Sequence, residues 1–278
     1  MPLHIAQIGS SFAAGPGIPP VANAAAGRSG ANFASLLRQR LAASRGDAVR
    51  LTDLSVSGAT LQQLASEPQD SFPPQASQLP ADADVVLVLG GGNDVGYIGG
   101  LFEDVLLRTG AMGRAMAFLL GGSGAPAGDA DGMSEEALAA RYGTVLDAVH
   151  ARAPGARVLA VEYVAMMGPD ASARAGTDAV PFAADRVERH RQVAAKLQRA
   201  TARAARDEAR RAWCELVSVD EPSQAHGLGS KGPWVNGFSW GLFRAGCAFH
   251  PNAEGMKGVC ELVYRKFVEL GLAKPAKL

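Results

Sequence analysis

The chain has 278 residues, of which 47% are hydrophobic and 19% are charged, a composition typical of a globular protein with a sizeable core. Its 27 basic residues balance its 27 acidic ones, so no overall electric field attracts nucleic acid or an anionic membrane. Apolar runs such as 85–89 are too short to span a bilayer. These values predict a single domain, 1–278, with no nucleic-acid partner and no stable membrane insertion.

Short apolar runs alternate along the chain with longer stretches of helical periodicity, a pattern that predicts a parallel sheet covered by helices. The predicted strands are 3–8, 48–54, 84–89, 157–164 and 213–219. The predicted helices are 30–43, 61–66, 134–151, 185–210 and 252–270. The sequence therefore indicates the α/β class with a doubly wound sheet.

One segment interrupts this regular alternation. Residues 98–132 are rich in Gly, Leu, Met and Phe, and they stand where a short loop would normally connect the third strand to the next helix. We expect this segment to be either a lid-like insertion that walls a pocket or an ordinary extension of the core.

The cellular location is an expectation from cysteine content and the first residues. The three cysteines can form at most one disulfide bond, which favours a reducing compartment. The start of the chain as given has neither the basic residues nor the long apolar stretch of a signal peptide. We expect a cytoplasmic protein, or a secreted one if a leader was removed.

Small and polar residues follow the first three predicted strands. They are Gly9–Phe12, 55–59 and 90–94. Because ligands of parallel sheets bind beyond the carboxyl ends of the strands, these loops are expected to meet, with Ser11 placed as a nucleophile. Near the other end of the chain, His250 precedes a proline and the last predicted helix, so its side chain is expected to project from a loop.

Taken together and in this order, four short segments resemble the conserved blocks of the SGNH hydrolases, also called GDSL esterases and lipases. The segments are Gly9–Ser11, Gly58, Gly91–Asp94 and His250–Asn252, and the resemblance spans nearly the whole chain. The first two look most like the branch that contains actinobacterial secreted lipases and related bacterial and fungal esterases. The resemblance implies a three-layer α/β/α SGNH hydrolase fold around a five-stranded parallel sheet of flavodoxin-like order.

The same resemblance implies roles for individual residues. Ser11 would be the nucleophile and His250 the base, and the Ser11 N–H, the Gly58 N–H and the Asn93 side chain would form the oxyanion hole. Ser10 stands where the family usually has an aspartate that takes no part in catalysis. An imidazole activates a serine, and preset donors stabilise the tetrahedral oxyanion. We therefore predict an esterase or lipase that hydrolyses a small-molecule carboxylic ester through an acyl-serine, with no cofactor and no metal.

One departure from the family affects the base. Cys247 occupies the position, three residues before the histidine, where the family has an aspartate. Because a neutral thiol orients an imidazole poorly, we expect a Ser11–His250 dyad whose ring is held by a backbone carbonyl, with that of Cys247 as the nearest candidate. Asp220 and Glu221 are the alternatives.

Other functions also fit parts of the sequence. The missing aspartate suggests a catalytically weakened relative that binds an ester or an acetylated sugar without efficient turnover. Residues 237–241 match a nucleophile elbow, but no acidic residue lies between Ser239 and His250 as that motif requires. Residues 227–232 match a dinucleotide fingerprint, yet Pro233 follows where a helix should begin.

Overall fold

The computed structural model describes residues 2–108 and 133–275, and its centre is a parallel β-sheet. The strands, in chain order, are β1 (Leu3–Gly9), β2 (Val21–Asn23), β3 (Arg28–Ser29), β4 (Val49–Asp53), β5 (Val85–Leu89), β6 (Arg157–Val161) and β7 (Cys214–Val217). β2 and β3 form a small antiparallel pair, and the other five strands form the sheet in the order β4-β1-β5-β6-β7. This is the predicted flavodoxin-like order, in which the chain reverses direction across the sheet after β4.

Helices cover both faces of this sheet. They are α1 (Ser11–Ala14), α2 (Phe33–Arg45), α3 (Leu61–Ala65), α4 (Tyr97–Arg108), α5 (Glu135–Arg152), α6 (Ala184–Ala205), α7 (Asp220–Ser223), α8 (Trp240–Arg244) and α9 (Ala253–Glu269). α2 packs against α9, whereas α5 packs against α3 and α6. The predicted three-layer α/β/α arrangement is confirmed.

Local residue choices explain where the main elements begin. β1 and β5 are buried along their whole length, as expected for central strands of a parallel sheet, and they are apolar except for His4 and Gln7 in β1. The Asn32 side chain accepts a hydrogen bond from the third residue of α2, and Asn252 does the same for α9. Thr60 and Gln63 form a capping box at the start of α3. Such caps satisfy N–H groups that have no partner within the helix.

The predicted insertion at 98–132 is only partly covered by the structure. Its first residues belong to α4, which packs against α6. Residues 109–132 lie outside the described residues, so the lid remains a prediction. Across 2–108 and 133–275, every helix is too short or too polar to cross a membrane.

Candidate active site

Ser11 lies at the carboxyl end of β1, where the strand turns directly into α1. Ser10 is still extended, and its carbonyl accepts hydrogen bonds from the N–H groups two and three residues after Ser11. In the described part of the chain, the Ser11 N–H has no hydrogen-bond acceptor. The turn is tight, because a Cβ on Gly9 would lie 2.4 Å from the carbonyl oxygen of Leu89. Ser11 itself is buried, with 5% of its surface exposed.

The loop that carries Gly58 connects β4 to α3 and is fixed by polar contacts. The Arg28 guanidinium donates two hydrogen bonds to the Ser55 carbonyl, at 2.7 and 2.8 Å. The Asp53 carboxylate accepts bonds from the Ser55 N–H and hydroxyl. Gly58 has a φ of +85°, a conformation that favours glycine. Over residues 2–108 and 133–275, no acceptor satisfies the Gly58 N–H.

Asn93 joins this loop to the loop after β5. Its Nδ2 donates a 2.8 Å hydrogen bond to the carbonyl of Ala59, the residue after Gly58. The neighbouring Asp94 accepts a 2.9 Å bond from the N–H of Leu61 at the start of α3. These contacts bring Gly58 and Asn93 together, and among the residues that the structure describes no acceptor takes the second hydrogen of the Asn93 amide.

His250 lies in a turn just before α9. The preceding residue, Phe249, adopts a left-handed conformation with φ of +58°, which is uncommon for a bulky residue. The ring nitrogen Nδ1 lies 2.8 Å from the carbonyl oxygen of Ala248. Because that nitrogen must donate to a carbonyl, this contact leaves Nε2 as the basic nitrogen of a neutral ring. Burial lowers the pKa of His250 to about 4, although the hydrogen bond to Ala248 acts in the opposite direction.

The turns that carry Ser11 and His250 meet through an aromatic contact. The rings of Phe12 and His250 have centroids 5.7 Å apart. No hydrogen bond joins the Ser11 hydroxyl to His250 in the residues that the structure describes. Catalytic hydrogen bonds of this kind are often longer in free enzymes than in their complexes.

The imidazole of His250 contacts the carbonyl of Ala248 and not, as predicted, the carbonyl of Cys247. The Cys247 carbonyl accepts hydrogen bonds from the Asn236 side chain and from the His250 N–H. The left-handed Phe249 follows Ala248, and it is the Ala248 carbonyl that meets the imidazole. The Cys247 thiol is buried, which raises its pKa, and its sulfur lies 3.6 Å from the Leu242 carbonyl oxygen.

The two alternative acids do not contact the histidine. Asp220 accepts hydrogen bonds from the side-chain amides of Gln198 and Gln224. Glu221 is exposed at the surface. Neither carboxylate therefore orients the imidazole of His250 in this structure.

The rival motifs lack the structural context that they need. The Ser239 hydroxyl accepts a hydrogen bond from the Leu242 N–H, and it caps α8 after an irregular stretch instead of ending a strand. Residues 227–232 form turns followed by Pro233, without the helix of a dinucleotide site. Within the described chain, His, Cys, Asp and Glu side chains form no group of three that could bind a metal ion.

Tyr163, just beyond β6, is a site neighbour that no sequence motif marks. Its hydroxyl lies 2.8 Å from the Ser10 hydroxyl and accepts a 3.0 Å hydrogen bond from the Gly92 N–H. It thus contacts the residue before Ser11 and the residue before Asn93. Its position near the carboxyl end of the predicted strand 157–164 is the one signal in the sequence that could have pointed to it.

Comparison with known proteins relates this geometry to a family. Residues 8–257 match the GDSL-like lipase/acylhydrolase family. A search of curated proteins finds no match. Among solved structures, an extracellular lipase from Streptomyces rimosus has a TM-score of 0.71 at 20% identity, covering 95% of this chain and 99% of that one.

Two further solved structures share the fold. A phospholipase A1 from Streptomyces albidoflavus has a TM-score of 0.71 at 18% identity, covering 96% of this chain and 100% of that one. A family two carbohydrate esterase from Clostridium thermocellum has a TM-score of 0.54 at 11% identity, covering 98% of this chain and 66% of that one. At these identities the likeness extends to the fold alone.

Proposed function

Since the chain belongs to the GDSL-like lipase/acylhydrolase family and is a carboxylic ester hydrolase, we propose that it works through an acyl-serine on Ser11 with His250 as the base. The observation that carries this proposal is the 2.8 Å contact between His250 Nδ1 and the Ala248 carbonyl. That contact fixes the tautomer in which Nε2 can accept a proton. A Ser-His dyad therefore needs no carboxylate at position 247.

In the proposed reaction, His250 Nε2 takes the proton of the Ser11 hydroxyl as its oxygen attacks the ester carbonyl carbon. The tetrahedral intermediate collapses, and His250 returns the proton to the departing alcohol. Water then attacks the acyl-serine with the same base, which releases the carboxylic acid and restores Ser11.

The oxyanion of both tetrahedral intermediates needs donors that are already in place. We assign this role to the Ser11 N–H, the Gly58 N–H and the Asn93 side-chain amide. Support comes from the two backbone N–H groups, which have no acceptor among the described residues, and from the 2.8 Å bond that holds Asn93 beside the Gly58 loop. Donors held this way stabilise developing charge without reorganisation, and one such donor is worth roughly 10²- to 10³-fold in rate.

Aromatic side chains near the histidine support an apolar acyl group as part of the substrate. Phe249, next to His250, packs against Phe102 and Phe238, with ring centroids 5.5 and 6.0 Å apart. Phe238 in turn contacts Trp240, which is 42% exposed. An acyl chain lying over this half-exposed aromatic surface would bury apolar area.

A series of p-nitrophenyl esters from acetate to palmitate tests the proposal. Wild type should hydrolyse at least part of the series, and Ser11→Ala should reduce turnover to the rate without enzyme. Ser239→Ala is the matched control, because Ser239 is the exposed serine of the rival motif and should leave the rate unchanged. An inert wild type that still binds an ester or acetylated sugar would instead support the weakened relative.

A further inference from the structure

Three buried groups form a continuous hydrogen-bonded link across the proposed active site, which we call the Tyr163 bridge. They are the Ser10 hydroxyl, the Tyr163 hydroxyl and the Gly92 N–H, joined by contacts of 2.8 and 3.0 Å. Ser10 is 0% exposed and Tyr163 is 2% exposed. Water therefore cannot replace either bond without opening the site.

One end of the bridge fixes the turn that carries the nucleophile. The Ser10 N–H donates to the Leu89 carbonyl at 3.0 Å, and the Ser10 carbonyl receives the first hydrogen bonds of α1. With its side chain also held by Tyr163, Ser10 has little freedom to rotate. The neighbouring Phe12 ring packs on the Tyr163 ring at a centroid distance of 4.5 Å. Ser11 thus lies between two residues that both contact Tyr163.

The other end fixes the loop that carries the oxyanion donor Asn93. The Gly92 N–H bonds to the Tyr163 hydroxyl, and the Gly92 carbonyl accepts a 2.9 Å bond from the Tyr97 N–H. A Cβ at Gly92 would lie 2.8 Å from atoms of the tyrosine ring, so glycine is what allows this close approach. Both backbone polar groups of Gly92 are therefore committed.

The backbone of Tyr163 is held by a side chain of α6. Its carbonyl accepts a 3.0 Å hydrogen bond from the Gln198 side chain on α6. Burial raises the pKa of the Tyr163 phenol to about 12. The hydroxyl thus keeps its proton at any pH at which the enzyme is assayed, and it can donate one bond while it accepts another.

We propose that Tyr163 is a positioning residue that holds the Ser11 turn and the Asn93 loop at the separation the acyl transfer needs. The inference rests on the proposed function and deepens it, because the Tyr163 bridge would set the distance between nucleophile and oxyanion donor. Small errors in this distance weaken transition-state stabilisation far more than substrate binding.

Tyr163→Phe tests the proposal, since it keeps the ring and removes the hydroxyl. The variant should lower kcat by roughly 10- to 100-fold, while KM changes by less than about 2-fold, as expected when an interaction matters mainly in the transition state. The acidic limb of the pH profile should not move, because Tyr163 does not titrate there. Ser10→Ala should lower kcat less, and should have almost no further effect in the Tyr163→Phe background.

Tyr142→Phe is the matched control. Tyr142 is fully buried, and its hydroxyl donates a 3.2 Å bond to the Val88 carbonyl within β5. Both Tyr→Phe changes should lower the unfolding temperature to a similar degree, but Tyr142→Phe should leave kcat near the wild-type value. Equal kcat values for the two variants would overturn the positioning role.

Hydrogen exchange gives a readout that does not depend on turnover. Tyr163→Phe should speed exchange in the peptides that contain Ser10–Phe12 and Gly91–Asn93, whereas Tyr142→Phe should not. Unchanged exchange in both peptides would overturn the inference even in an active enzyme. If wild type is inert or Ser11→Ala remains active, the proposed function fails, and the exchange data still decide whether the Tyr163 bridge holds the two loops together.

Discussion

At the scale of single residues, the ring of His250, the proposed base, is held by a backbone carbonyl. The Ala248 carbonyl fixes the ring tautomer as a carboxylate would, but it carries no full negative charge to stabilise the imidazolium. Burial lowers the pKa of His250 to about 4, and the hydrogen bond to the neutral carbonyl opposes this only in part.

The pH dependence of kcat/KM follows from this. In the proposed mechanism the ring accepts the Ser11 proton only when it is neutral, so activity should be lost as pH falls through about 4. Activity should already have its full value at a pH well below the ordinary histidine pKa of about 6.5. A pH-stat assay on a soluble ester measures the acidic limb directly. A limb centred near pH 6.5 would show that the ring is solvated or paired with an acid.

Cys247 provides a second test at this scale. Its sulfur lies 3.6 Å from the Leu242 carbonyl oxygen, and the histidine ring is held by a different residue. Cys247→Ala should therefore keep kcat within a few fold of wild type, far from the roughly 10⁴-fold loss typical when a triad acid is removed. Cys260→Ala is the control, because it also removes a buried thiol, one that lies in α9. A loss approaching four orders of magnitude in Cys247→Ala alone would show that the thiol orients the ring.

The sequence named the residues of the candidate site but not how they are held. Ser11, Gly58, Asn93 and His250 were predicted from motifs, and their roles remain predictions. The Ala248 contact escaped prediction because it depends on the left-handed conformation of Phe249, which its residue type disfavours. The contacts of Tyr163 were not predicted either, because a tyrosine near the end of a predicted strand is as often an ordinary core residue.

At the scale of elements, buried polar contacts hold α4 against α6 beside the candidate site. Asp104 on α4 accepts two hydrogen bonds from the Arg186 guanidinium and lies 2.7 Å from a ring nitrogen of His190. These partners hold the pKa of the Asp104 carboxyl below its usual value despite burial. The same helix presents Phe102 to Phe249, the residue beside His250.

Asp104→Ala should therefore destabilise the fold strongly. It removes one partner of a buried ionic group, a change that typically costs about 3–5 kcal/mol of unfolding free energy. Asp147→Ala is the control, because the Asp147 and Arg210 pair is largely exposed at the carboxylate and should contribute less than about 1 kcal/mol. Urea unfolding compares the two variants. Similar midpoints would contradict a special role for the α4 and α6 contact.

Most elements of the fold were predicted from the sequence, but the helices α1, α4, α7 and α8 were missed. The five strands of the sheet and the helices α2, α3, α5, α6 and α9 lie within a few residues of their predicted bounds. The predicted helix 185–210 ends at Ala205 in the structure. Beyond it the chain forms a turn, in which the N–H groups of Arg210 and Arg211 donate hydrogen bonds to the Asp207 carbonyl. The missed helices α1, α7 and α8 have four or five residues, too few to show a helical period. The equally short α3 was predicted, whereas the longer α4 lies in the segment 98–132 that was predicted as an insertion.

At the scale of the whole molecule, strand order explains why distant segments meet. β1 lies between β4 and β5, so the loops carrying Ser11, Gly58 and Asn93 leave the same edge side by side. β6 adjoins β5 and brings Tyr163 to that edge, while α9 packs on α2 and places His250 beside Phe12. The alternation of strands and helices in the sequence predicted a doubly wound sheet, and the resemblance to the SGNH hydrolases implied this strand order.

Ser11, activated by His250, is the proposed nucleophile. A fluorophosphonate that reacts with activated serines, followed by peptide mass spectrometry, tests this role most directly. We expect a single adduct on Ser11 in wild type, none on that peptide in Ser11→Ala although Ser10 remains, and much slower labelling in His250→Ala. An enzyme that hydrolyses esters while its adduct lies on Ser239, or that keeps its activity in Ser11→Ala, would contradict the account.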